Sequence, residues 1–67
     1  MFFLIRKSKQ LLSSAFKTWK RSKKYISEKD YLFAQGELQK FQKAILDKDE
    51  YEILNLTPKI KVLIKNI

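Results

Sequence analysis

A single glycine (Gly36) and a single proline (Pro58) leave this chain almost without the residues that tight turns require. An antiparallel sheet of short strands needs repeated Asn-Gly, Asp-Gly or Gly-X turns, and one glycine cannot supply them. Long uninterrupted segments rich in Lys, Leu, Glu and Gln favour helix instead. At 67 residues the chain makes one small domain, residues 1–67. A domain of this size buries little surface and often adds disulfides or a metal to hold itself together. It contains neither cysteine nor histidine, so disulfides and the commonest zinc ligands are excluded. A partner, a membrane surface or self-association is then the remaining source of extra stability.

The periodicity predicts a first helix over about 4–26. At about 100° per residue, Ile5, Leu12, Trp19 and Ile26 fall on one stripe, with Ala15 and Phe16 beside it and Ser8 and Ser22 within it. Ser27 followed by Glu28 and Asp30 reads as a helix start. A hydroxyl caps the free N–H groups, and acids suit the positive end of the helix dipole. The second helix then covers about 28–46, with Tyr31, Ala34, Leu38, Phe41 and Ile45 at spacings of three and four. Leu32, Phe33 and Leu46 lie off that stripe. Gly36 falls mid-helix, which close helix packing would explain. Asp47 to Glu50 marks the next break. Two short helices are expected after it, about 49–56 and 58–67, the second with Thr57 as cap and Pro58 at its first position. The fold class is all-α: an antiparallel helical hairpin with one or two short C-terminal helices.

Charge is distributed unevenly along this framework. The first 27 residues carry eight Lys or Arg and no acid, whereas all seven carboxylate side chains lie between Glu28 and Glu52. The net charge of +8 favours polyanions as partners. Arg6, Lys9, Lys17, Lys20, Arg21 and Lys24 gather away from the apolar stripe and form the candidate anionic-surface contact. Ahead of them, Phe2, Phe3, Leu4 and Ile5 form a candidate apolar wedge for a membrane. This apolar run is too short for a secretory signal and precedes the cations, and no window approaches the ~20 apolar residues of a spanning helix. Trp19 and the phenylalanines read as core, although Trp19 also suits a lipid interface.

One pattern brings a family resemblance. The segments Lys7-Ser8-Lys9-Gln10-Leu11-Leu12, Phe16-Lys17-Thr18-Trp19-Lys20 and Lys23-Lys24 are followed by Leu38, Phe41 and Ala44-Ile45-Leu46-Asp47-Lys48-Asp49. In spacing and residue class, residues 7–56 resemble the cytoplasmic N-terminal helical extension of bacterial signal peptidase I in chlamydia-like lineages. That family's nucleophilic serine and general-base lysine lie beyond a membrane anchor, so no catalytic residue carries over to any position here. The resemblance implies an accessory hairpin at the cytoplasmic face, independent of proteolysis.

The chemistry available to the chain is narrow. Without His or Cys the usual nucleophile–base pairs cannot be built. One glycine cannot make a phosphate loop, and Asp47, Asp49, Glu50 and Glu52 lack the spacing of a calcium loop. The expectation is a non-enzyme without cofactor, metal or catalytic residues. It is a cytoplasmic binding module, peripheral at the inner membrane face, whose partner is an anionic lipid surface or another polyanion. RNA or the ribosome is one alternative partner, and a protein partner or self-association is the other.

Overall fold

The computed structural model describes the backbone of residues 2–67 and the side chains of residues 3–67. It is all-helical, with α1 (Phe2–Ser22), α2 (Glu28–Leu46) and α3 (Glu50–Asn66). Each helix packs against the other two. The molecule measures 36 × 17 × 16 Å. A helix of 21 residues is about 31 Å long, so the helices lie along the long axis.

Local chemistry sets both ends of α2. The Asp30 N–H donates to the Ser27 hydroxyl oxygen at 3.2 Å, and Glu28 and Asp30 occupy the first turn. At the other end Lys48 adopts φ 55°, the left-handed conformation more often taken by glycine. The Lys48 N–H donates to the Ile45 carbonyl at 3.1 Å and the Asp49 N–H to the Ala44 carbonyl at 2.9 Å. These two bonds satisfy carbonyls that a helix end otherwise leaves open. Asp49 then starts α3 by accepting the Glu52 N–H at 3.2 Å. A three-residue break between helices is thus built without glycine.

The core combines Ala34, Leu38, Phe41, Ala44 and Ile45 of α2 with Ile53, Leu56 and Ile60 of α3, and Ala15 and Trp19 of α1. On α1 the deepest positions are small: Ser8, Ala15 and Ser22, at 4%, 0% and 2% exposure and seven residues apart. Leu4, Ile5, Leu11, Leu12 and Phe16 are half-buried around them. The buried face is therefore turned from the predicted line through Ile5, Leu12 and Trp19 toward the small residues. Small side chains let a helix axis approach its neighbours, and the larger ones close the flanks.

Three expectations need correction. The first helix ends at Ser22 and not at Ile26. The Ser22 hydroxyl donates to the Trp19 carbonyl at 2.6 Å, and the Tyr25 and Ile26 N–H groups both turn back to the Ser22 carbonyl. Trp19 meanwhile stacks on Tyr31, with ring centroids 4.3 Å apart, and its indole N–H donates to the Tyr31 carbonyl at 2.9 Å. Joining the last turn of α1 to the first turn of α2 requires the chain to leave the helix early.

Secondly, the C-terminal segment is one helix through Pro58 and not two. A proline in a helix interior costs about 3 kcal/mol. Ile53 and Leu56 before it and Ile60 after it are all buried on one stripe, each contributing about 1.5–3 kcal/mol. Burial outweighs the lost hydrogen bond. Thirdly, Gly36 is not a close-packing position, because a Cβ there would meet nothing within 4 Å.

Candidate anionic-surface interface

The outward side of α1 is set by what its inward side buries. With Ser8, Ala15 and Ser22 at the centre of the packed face, helical geometry places Arg6, Lys9, Lys17, Lys20 and Arg21 opposite, within an arc of roughly 120°. All five side chains are exposed. From Arg6 to Arg21 they extend over about 22 Å of helix. The seven acids of the sequence do not neutralise them: among the described residues the ion pair found is Lys40–Glu37, within α2, at 3.9 Å. This face is a row of cations without an ion-pair partner among the described residues.

Lys24 is also exposed but lies in the turn after α1, so it extends the charge beyond the helical row. Its neighbour Lys23 places its ammonium 5.9 Å from the centre of the Tyr31 ring. The proposed apolar wedge is divided. Phe3 is 68% exposed, and the Lys7 ammonium sits 4.6 Å from its ring centre. Leu4 and Ile5 instead pack against the core. The side chain of Phe2 lies outside the described residues. Trp19 is committed to the core by its hydrogen bond and its stacking on Tyr31, with Phe16 edge-on at 6.0 Å. It is therefore not presented to a lipid interface.

Two features escape a reading of sequence alone. Between α2 and α3 an open cleft of about 500 Å³ is lined by Phe33, Glu37, Pro58, Lys59, Val62, Leu63 and Asn66. It exists because α3 continues past Pro58 and brings Val62 alongside Phe33. The off-stripe Leu32, Phe33 and Leu46 are 54%, 63% and 73% exposed. Between α1 and α3 lies a second cleft, to which Lys7 and Lys61 both contribute. Lys61 has no partner helix in the sequence pattern, so only the packing reveals this pairing.

No helix of the described residues is long and apolar enough to cross a membrane. No protein-family model, curated protein or solved structure matches this chain.

Proposed function

We propose that this chain is a non-enzymatic binding module that attaches peripherally to an anionic cytoplasmic membrane surface through the outward side of α1. In this reading α1 and α2 form an antiparallel hairpin, and α3 closes over its inner side. The observation that carries it is the unpaired cationic row Arg6, Lys9, Lys17, Lys20 and Arg21, opposite the buried face. Each basic residue near an anionic leaflet contributes about 1 kcal/mol, so five acting together contribute on the order of 5 kcal/mol. Because α1 buries its own apolar side in the bundle, attachment is electrostatic, with Phe3 as the apolar contact at the start of the row. The resemblance of residues 7–56 to the cytoplasmic extension of signal peptidase I supports this reading, because that family's extension precedes a membrane anchor.

A lipid surface suits the row better than RNA does. Sequence-tolerant RNA contacts add aromatic stacking to the phosphate contacts. Here Trp19 and Tyr31 are stacked on each other and Phe16 packs edge-on against Trp19, so the exposed aromatics nearest the row, Phe3 and Tyr25, lie only at its two ends. Co-sedimentation with neutral and anionic vesicles at low and high salt, with structured RNA as competitor, tests the reading. Binding to anionic vesicles that persists in RNA and weakens with salt is expected. The triple variant Lys17→Gln, Lys20→Gln, Arg21→Gln should reduce it on the order of a hundredfold. No binding to anionic vesicles at low salt, or complete transfer to RNA, refutes it.

A further inference from the structure

The cleft between α1 and α3 is lined by Leu4, Lys7, Ser8, Gln10, Leu11 and Ser14 from α1, with Thr57 and Lys61 from α3. Its volume is about 410 Å³. Two cations and no acid line it. Lys7 rests over the Phe3 ring and not against a carboxylate, so its charge has no anionic counterpart there.

Ser8 adds a second observation at this cleft. It is 4% exposed, yet no hydrogen bond of its hydroxyl is found among the described residues. No buried side-chain oxygen or nitrogen among those residues is sealed from solvent without a partner. The Ser8 hydroxyl is therefore not sealed from solvent, and Ser8 is one of the residues that line the cleft. Thr57 behaves differently, because its hydroxyl already donates to the Ile53 carbonyl at 2.6 Å. The donors left for a ligand are the two ammonium groups, the Ser8 and Ser14 hydroxyls and the Gln10 amide. Leu4 and Leu11 make the apolar part of the lining. Donors of this kind without a carboxylate match the acceptor oxygens of a phosphate, and the leucines match an adjoining apolar tail.

We infer that the α1/α3 cleft is a binding site for the phosphate headgroup of an anionic lipid. Lys7 and Lys61 neutralise the phosphate, Ser8 and Ser14 donate to its oxygens, and Leu4 and Leu11 contact the start of the lipid chain. This inference rests on the membrane reading and assigns it a specific seat, on different residues from the outward row.

Isotope-labelled protein titrated with dihexanoyl phosphatidylglycerol below its micelle concentration, and separately with inorganic phosphate, tests the site. Saturable amide shifts at Ser8, Ser14, Thr57 and Lys61 are expected, at lower concentration with the lipid than with phosphate. Equal response to both ligands overturns the lipid assignment. Shifts absent, or confined to Lys17, Lys20 and Arg21, overturn the site. Lys61→Gln and Ser8→Ala should each weaken the short-chain lipid at least tenfold. Lys61→Gln should weaken vesicle sedimentation only about fivefold, the effect of one surface cation. The triple variant of the outward row should show the converse: weak sedimentation with an intact lipid titration. Vesicle binding by the wild type without cleft shifts sinks the cleft alone, whereas cleft shifts without vesicle binding sink the membrane reading.

Discussion

Replacing Pro58 by Ala separates two ways of building the C-terminal third of the molecule, because they predict opposite signs. Pro58 lies eight positions after Glu50, inside α3, and its side chain is exposed. Its nitrogen carries no hydrogen, so the Leu54 carbonyl receives no bond from it, and the ring crowds the preceding turn. Alanine in a helix interior is about 3 kcal/mol better than proline. The unfolded chain gains freedom when proline is removed, which takes back about 0.4–1 kcal/mol. The surrounding turn has already adapted to the ring, so the expected net gain is about 1–2 kcal/mol. Nothing in the core is lost, since Ile53, Leu56 and Ile60 lie on the opposite side of the helix. For a domain of this size each kcal/mol raises Tm by roughly 4–8 °C. Thermal and urea unfolding followed by far-ultraviolet circular dichroism would measure it. If residues 58–67 were a separate helix, Pro58 would occupy its first position, where proline is favoured and its missing N–H costs nothing. Pro58→Ala would then lower Tm, and that result refutes the continuous helix.

Two further substitutions test which small residues serve close packing. Ala15→Leu places a large side chain at a position with 0% exposure on α1, and should destabilise by about 1–3 kcal/mol in urea unfolding. Gly36→Ala adds a methyl group facing open space in α2, and should stabilise by about 1 kcal/mol by the same assay. The losses on vesicle binding from the outward α1 row, and on short-chain lipid binding from Lys61→Gln and Ser8→Ala, complete the set.

Features with local causes were legible in the sequence. Ser27 caps α2 through its own hydroxyl, acting on the N–H three residues on. At the break from Asp47 to Glu50 the sequence offers both Asp47 and Asp49 as caps, and the structure uses Asp49. The stripe Tyr31, Ala34, Leu38, Phe41 and Ile45 faces the core because its spacing matches one turn of helix. The outward cations of α1 follow in the same way, since whatever lies opposite an apolar stripe is exposed.

Tertiary packing decided the rest. Hydrophobicity weighs Ile5, Leu12 and Trp19 above Ser8, Ala15 and Ser22, yet the small residues take the deepest positions because they let α1 approach its neighbours. The same pattern predicts a first helix running to Ile26, whereas the Trp19–Tyr31 stacking and hydrogen bond end it at Ser22. Pro58 reads locally as a helix start, and only the burial of Ile53, Leu56 and Ile60 on one stripe carries α3 through it. That continuity places Thr57 and Lys61 across from Lys7 and Ser8, and so creates the α1/α3 cleft. Caps and periodicity depend on neighbours within one turn, so the sequence by itself determined an all-helical chain, the extent of α2 and a basic outward face on α1. Helix rotation, helix continuity and the clefts depend on residues far apart in the chain, whose contacts exist only once the helices have packed.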